Sequence, residues 1–441
     1  ITGIKVYAVD LPGKGGAYRR SAGFSPDVYS STVVIIDTDE GISGIGEVCP
    51  IGTHYMRGFP EAVRVGLPLL AGMIIGEDPF QIEKLNRMWD VKFRDDLYVK
   101  TPIDMALWDI MGKTTDRPVS DLLGGGYGEQ VPLYRSVHLF REHEDTPAVW
   151  VERCKFYRSQ GYRHFQLKMG HEPDYDIERI EAVCDNLEPG ELVLADANAA
   201  WTLTSAIRVA NAVKNLPVVI EQPCRTMEEC IEFRRHCTLP VKLDELIETT
   251  QDIIRAFNGG AMDICCIKLA RVGGLTKARR MRDLCIDLGL TIVPDDAWGS
   301  EIVSSALAHF AESTPAKYTL SKTDLTDYVK VSTAYGYRER IGADWGATST
   351  SGLGLEQALK KSIHSIDGVF TYMIANTGGI GFAKDRFAMK PLVVIERGDD
   401  VAMATEEQAV RRIVTEEAEV DNYDGPSLTG LWSVGNRRLA A

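Results

Sequence analysis

The rhythm of apolar and polar positions changes twice along this chain. Residues 1–65 read as extended, and VVIIDT and ISGIGEV flank the turn residues Asp39–Gly41, which predicts a β-hairpin. From about 60 to 125 the spacing becomes helical. The clearest helix is expected to begin at Thr101 as N-cap, with Pro102 in the first helical position. Ile103, Ala106, Leu107, Ile110 and Met111 then recur at helical spacing, so one face is buried. Glycines at 124–126 and Gly128 punctuate the far end and place a domain boundary near 128.

Beyond 130, short apolar strands alternate with polar-faced helices. The strands read VPLYRSVHL, HFQLKMG, LVLADAN, VVIEQP, VKLDE, DICCIKLA, TIVPDD and YTLSKTD. Strand–helix alternation predicts a parallel sheet, and eight such units predict a closed barrel, here over residues 129–330. An open doubly wound sheet is the alternative, but no GxGxxG turn follows the first strand.

Seven of these strands end in a polar residue where an apolar run would continue: Lys168, Asp196, Glu221, Asp244, Lys268, Asp295 and Asp324. Successive separations are 28, 25, 23, 24, 27 and 29 residues, about one strand–helix unit each. That period sets all seven on one rim, the strand C-terminal end where barrel active sites form. Asp196, Glu221 and Asp244 end three neighbouring strands and converge. Three close carboxylates cannot all ionise without a compensating cation, and oxygen donors favour a hard ion such as Mg²⁺. Each acid alone could equally cap the next helix; three on adjacent strands favour the metal. Lys168 and Lys268 end strands four apart, hence opposite one another across the mouth. Desolvation and a nearby dication are expected to lower their pKa toward that of a useful base.

Composition narrows the partners. The 441 residues are 44% apolar and 25% charged, as in a globular protein, and no stretch of about 18 apolar residues is free of charge. A formal charge of −14 disfavours nucleic acid and anionic membrane surfaces. The N-terminal ITGIKVYAVD reads as a strand rather than a signal peptide, so a cytoplasmic location is expected. Nine scattered cysteines fit a reduced compartment. Cys224, Cys230, Cys237 and His236 lack zinc-finger spacing.

QLKMG at 166–170, DAN at 196–198, EQP at 221–223, LDE at 243–245 and IKLARVGG at 267–274 together resemble the enolase superfamily, specifically its mandelate racemase and muconate lactonizing enzyme group. The helix IDMALWDIMGK at 103–113 also looks like that family's lead into its barrel, and the resemblance runs from residue 1 to about 355. It implies an α/β fold: an N-terminal α+β capping domain at 1–128, a (β/α)₇β TIM-like barrel at 129–330 and a return segment to the cap at 331–356. It also implies Mg²⁺ on Asp196, Glu221 and Asp244, with Lys168 and Lys268 as acid/base residues. Gln166, Asn198 and Glu245, adjoining them in the motifs, are expected to support them. The shared step is loss of the proton α to a carboxylate, giving a metal-stabilised enediolate; a homo-oligomer is expected. Two features depart from the pattern. Gln166 stands where Lys-x-Lys is usual, removing one cation near Lys168. The chain also continues past GLGLE at 352–356 into an extension, 357–441, whose role as lid, oligomer contact or appendage is open.

Loops at Tyr18–Ser21 and Cys49–Tyr55 are expected to cover the mouth. Tyr55, Asp295, Asp296 and Trp298 are candidate substrate contacts. Carboxylates and an aromatic face beside a carboxylate-binding metal point to a substrate that also carries an amino or ammonium group. TIVPDDAWGSE at 291–301 resembles the subset acting on proline derivatives, hydroxyproline-betaine 2-epimerases and cis-3-hydroxyproline dehydratases. Opposed lysines lead the expectation to a racemase or epimerase, with a dehydratase of cis-3-hydroxy-L-proline or an acid sugar as the alternative. A non-catalytic scaffold has no use for the constellation.

Overall fold

The computed structural model describes residues 1–14, 26–52, 55, 57–128, 130–138, 145–330 and 333, and the strands of the C-terminal segment at 371–376, 379–384, 392–397, 400–404, 420–422, 429–433 and 436–440. The loop expected at Tyr18–Ser21, part of Cys49–Tyr55, the motif GLGLE and nearly all of the return segment 331–356 lie outside the described residues. The chain divides into two compact units, Ile1–Arg338 and Glu339–Ala441.

The first unit opens with an antiparallel meander of β1 (Gly3–Pro12), β2 (Val28–Asp37) and β3 (Ser43–Val48). The hairpin turns at Gly41, whose φ of 77° suits the residue placed there. Helices α1 (Pro60–Ile74), α2 (Ile82–Lys92), α3 (Leu97–Thr115) and the short α4 (Val119–Leu122) follow. Helix α3 starts at Leu97, one turn before the expected Thr101, and Pro102 lies inside it. The Thr101 hydroxyl does not accept from an amide as an N-cap does. It donates toward the carbonyl oxygens of Leu97, Leu269 and Ala270, 3.0–3.3 Å away, so a tertiary contact overrides the local signal. Gly44 and Gly46, on one face of β3, let the α3 backbone lie against the sheet. A Cβ on Gly46 would stand 2.0 Å from the Pro102 carbonyl oxygen, and one on Gly44 2.1 Å from that of Ala106.

The barrel strands are β4 (Tyr134–Val137), β5 (His164–Lys168), β6 (Leu192–Asp196), β7 (Val218–Glu221), β8 (Val241–Leu243), β9 (Ile264–Lys268) and β10 (Thr291–Asp295), parallel and paired in sequence order. Helices α5 (Pro147–Ser159), α6 (Pro173–Cys184), α7 (Leu203–Ala212), α8 (Met227–Arg234), α9 (Thr250–Asn258), α10 (Leu269–Val272), α11 (Leu275–Asp287) and α12 (Glu301–Glu312) connect and cover them. Residues 319–323 close the ring: Leu320 N donates to Ile292 O (3.0 Å) and Lys322 N to Pro132 O (2.9 Å), so the segment bridges the last strand to the first. Inside, Tyr134, Leu194, Val219, Ile264 and Val293 pack from five strands, which is why the strands read as nearly unbroken apolar runs. Capping boxes start α8 (Thr226 with Glu229) and α9 (Thr249 with Asp252).

The second unit carries two antiparallel sheets. One pairs β11 (Thr371–Asn376), β12 (Gly379–Lys384), β16 (Thr429–Ser433) and β17 (Asn436–Ala440); the other pairs β13 (Val393–Arg397) with β14 (Asp400–Ala404) and β15 (Val420–Asn422). Phe382, Leu392 and Val394 form a small core of its own. All nine cysteines are buried and free, and among the described residues no helix is long and apolar enough to cross a membrane.

The contact of β3 with α3 predicts that Gly46→Ala lowers stability by about 3 kcal/mol, because backbone must move. Gly72→Ala, in α1 with nothing within 4 Å, should be neutral or stabilise by up to about 1 kcal/mol. Urea unfolding followed by circular dichroism checks both; equal midpoints would contradict the contact.

Candidate active site

Strand register brings the periodic residues to one level. Lys168 pairs with Asp196, Asp196 with Glu221, and Lys268 with Asp295 across the ladders. Asp196, Glu221 and Asp244 are all buried at 0–1% exposure. Each holds a base from a neighbouring element. Lys168 Nζ lies 2.5 Å from Asp196 Oδ2; Gln166 Nε2 donates to Glu221 Oε2 (2.9 Å), and Lys242 Nζ stands 2.8 Å from Glu221 Oε1. Arg271 Nη1 donates to Asp244 Oδ1 (2.6 Å), while Tyr55 Oη (3.0 Å) and Lys268 Nζ (3.3 Å) reach its Oδ2. The chain turns sharply behind two of these acids. Asn198, Ala199 and Gln222 are non-glycine residues at φ 46°, 62° and 37°, strain of the kind found at functional sites. Gln222 Oε1 accepts from Asp244 N (2.9 Å) and so ties the end of β8 to β7.

The charges at this end do not balance. Six buried or half-buried carboxyl groups (Asp196, Glu221, Asp244, Glu245, Asp295 and Asp296) face four cations (Lys168, Lys242, Lys268 and Arg271). Burial and then repulsion from Asp196 push the Glu221 carboxyl up to about 7. Burial, then Asp244 and Asp196, push Glu245 to about 8, and burial pushes Asp296 to about 7. Burial would raise Asp244 too, but Arg271 and Lys268 hold it far below the usual carboxylate range. Six carboxyl groups thus share four cations, and the raised values mark the groups whose charge is least offset; buried hard oxygen donors of this kind suit a divalent cation of the Mg²⁺ type, which would displace the protons. The one group whose donor atoms lie within 4.8 Å of one another among the described residues is Asp244, Cys266 and Asp295. A soft thiol suits Mg²⁺ poorly, and Lys268 Nζ already contacts both of those carboxylates; the donor atoms of Asp196, Glu221 and Asp244 do not come that close together here.

Lys168 and Lys268 line one cavity together with Tyr55, Gln166, Asp295, Asp296 and Trp298. Burial alone would lower the Lys268 pKa, but Asp244 and Asp295 carry it well above the ordinary lysine value, opposite in sign to the expectation from sequence. Asp295 contacts Lys268 Nζ directly, so its charge is spent on that lysine. Asp296 accepts from the amides of Ala270 (3.1 Å) and Ala297 (2.6 Å). Trp298 stacks on Tyr29 with ring centroids 3.9 Å apart and meets Tyr328 edge-on at 5.4 Å. Asn198 Nδ2 donates to Glu245 Oε1 (2.9 Å). Asp324 caps a short turn by accepting from Thr326 N (3.0 Å) and is not among the cavity-lining residues. Cys224, Cys230, Cys237 and His236 form no metal-sized group.

Sequence reasoning missed three charged residues. Lys242 is fully buried in β8, and a lysine inside the apolar strand VKL was the available signal. Arg271 follows Lys268 by three residues in a motif already noted. Glu47, fully buried in β3, accepts from Ser31 Oγ (2.6 Å) and from the amides of Ser300 (3.2 Å) and Val303 (3.4 Å). From the N-terminal layer it therefore caps α12, just after the loop bearing Asp295, Asp296 and Trp298.

Comparison with known proteins agrees with this architecture. Residues 26–124 match the N-terminal domain of mandelate racemase / muconate lactonizing enzyme, and residues 150–358 match the enolase C-terminal domain-like family. A cis-3-hydroxy-L-proline dehydratase of Roseibium aggregatum is 42% identical over 355 residues, covering 80% of this chain and 95% of that protein. An N-succinyl-L-Arg/Lys racemase of Bacillus cereus is 28% identical over 341 residues, covering 75% and 88%. Among solved structures, a mandelate racemase/muconate lactonizing enzyme from Roseovarius nubinhibens superposes with a TM-score of 0.71 at 41% identity, covering 76% of this chain and 88% of that one. A second from the same organism, complexed with magnesium, gives 0.71 at 33% identity, covering 74% and 88%. Cap and barrel thus agree with these relatives, and the chain is an enzyme of the enolase superfamily, in its mandelate racemase/muconate lactonizing enzyme group.

Proposed function

We propose that this enzyme dehydrates a β-hydroxy-α-amino acid, with cis-3-hydroxy-L-proline as the substrate of first choice. The supporting observation is the opposition of Lys168 and Lys268 across the mouth, with Lys268 kept protonated beside Asp244 and Asp295. In cis-3-hydroxy-L-proline the hydroxyl and carboxylate share a ring face, so the α-hydrogen lies on the face opposite the hydroxyl. An anti elimination then needs a base on one face and an acid on the other. Lys168 takes the C2 proton, and the C–H electron pair delocalises onto the substrate carboxylate as an enediolate; that pair then returns to form the C2–C3 double bond as the C3–O bond breaks with its own pair. Lys268 protonates the departing hydroxyl, which leaves as water. The enamine product tautomerises to Δ¹-pyrroline-2-carboxylate, and the lysines exchange protons with solvent to reset.

Asp196, Glu221 and Asp244 would hold Mg²⁺, which supplies positive charge against the negative charge that builds on the substrate carboxylate. Asp295 orients Lys268, and Tyr55, Asp296 and Trp298 are the proposed contacts for the ring and its amine. Epimerisation, the leading expectation from sequence, uses the same opposed lysines. The 42% identical dehydratase, matched over 95% of its length, favours dehydration.

Incubated with Mg²⁺ and cis-3-hydroxy-L-proline in D₂O, the enzyme should yield Δ¹-pyrroline-2-carboxylate by NMR. An inverted C2 with the hydroxyl retained would instead establish the epimerase. Lys168→Ala should cut turnover by about 10²–10⁴-fold. Lys268→Ala should block water loss yet still exchange the α-proton for deuterium. Wild-type turnover in either variant would rule out its lysine.

Metal binding should depend on pH. Glu221 at about 7 and Glu245 at about 8 stay protonated at lower pH, and bound protons compete with a dication. Because folding raises both pKa values, their contribution to stability is lost as pH rises from the ordinary 4.5 through 7 and 8, and a bound dication offsets that loss. Calorimetry should find Mg²⁺ bound at least about tenfold more tightly at pH 8 than at pH 6; equal affinities would contradict the assignment.

A further inference from the structure

A second cavity, of about 430 Å³, lies between the N-terminal layer and the barrel, and none of its lining residues lines the first. Its walls carry donors with nothing to donate to. Arg271 is 3% exposed and commits Nη1 to Asp244, yet its Nη2 is buried without a hydrogen-bond partner. Tyr98 is 7% exposed, and its Oη lies beside Arg271, with no acceptor for its own hydrogen. Helix α3, of 19 residues, begins at this cavity with no side-chain cap, because Asp96 sits at φ 39° and its carboxylate accepts no amide. An unsatisfied buried donor costs about 1–3 kcal/mol, more when charged. A helix N-terminus adds free amides and a positive end to the dipole. Together these features form a receptor for an anion.

The acids on the same walls are unequal. Asp90 is shared between Lys100 (3.1 Å) and Lys277 (2.5 Å), and Glu248 pairs with Arg57 (3.5 Å). Asp95 and Asp96 form no ion pair among the described residues. Both are held in the left-handed region, at φ 57° and 39°, which costs a non-glycine residue about 1 kcal/mol or more. An unpaired pair of carboxylates therefore lies beside an unpaired set of donors.

We propose that this cavity is a second binding site, for the zwitterion of a small α-amino acid. Arg271 Nη2, Tyr98 Oη and the first amides of α3 receive its carboxylate; Asp95 and Asp96 receive its ammonium. The cavity lies within the size range of small-molecule sites. Its occupant is one guanidinium away from Asp244, which gives the site a route to the barrel mouth. The inference rests on these residues alone and stands whichever reaction the mouth performs.

The full-length protein, with Mg²⁺ present, is titrated calorimetrically with L-proline, and with acetate as an anion without an ammonium. The double variant Asp95→Asn with Asp96→Asn keeps the left-handed backbone, which asparagine tolerates. It should bind L-proline at least about tenfold more weakly while its acetate affinity is unchanged. Tyr98→Phe should weaken both ligands by about fivefold, the worth of one ordinary hydrogen bond. No saturable L-proline binding, or an isotherm identical in wild type and both variants, would overturn the proposal.

Discussion

Negative charge held out of water at one end of the barrel is the constraint to which the remainder of the site answers. Asp196, Glu221 and Asp244 are all buried, and each is met by a base from the adjoining strand or turn. Those bases are placed by strand register, since Lys168 lies level with Asp196 and Lys268 with Asp295. A parallel ladder therefore does more than hold the barrel shut. It sets Lys168 beside Asp196 and Lys268 beside Asp295, but Asp196 beside Glu221, so the acids cluster where a cation from outside would bind.

The N-terminal layer completes the barrel through buried carboxylates. Glu47 accepts from the amides that open α12, and Asp104 accepts from Thr276 N (3.0 Å) and Thr276 Oγ1 (2.6 Å) at the opening of α11. The residue before α11 is Gly274, which has no side chain to cap with, so Asp104, 172 positions from Thr276 in the chain, supplies the acceptor. A Cβ on Gly274 would lie 2.4 Å from Asp104 Oδ2. Both capped helices follow strands that carry Lys268 or Asp295. The layer thus fixes the catalytic side of the barrel as well as covering it.

The rim was legible in the sequence because each of its residues is announced locally, by a polar side chain ending an apolar strand, and because a strand–helix unit has nearly constant length. Partners that meet only in the fold were not. Glu47 and Ser300 are 253 residues apart, and nothing near either one names the other. Thr101 carried a helix-start signal, but two carbonyl groups of α10 claimed its hydroxyl. The sign of the Lys268 shift was misjudged for a related reason. Desolvation was visible from the strand, whereas the carboxylates that outweigh it come from two other strands.

Asp196, Glu221 and Asp244 are the proposed seat of a divalent cation. Anomalous diffraction from a crystal grown with Mn²⁺ tests this assignment most directly. A peak in contact with these three carboxylates, and none at Cys266, is expected. A peak held instead by Asp244, Asp295 and Cys266, or no peak at the barrel mouth, would contradict it.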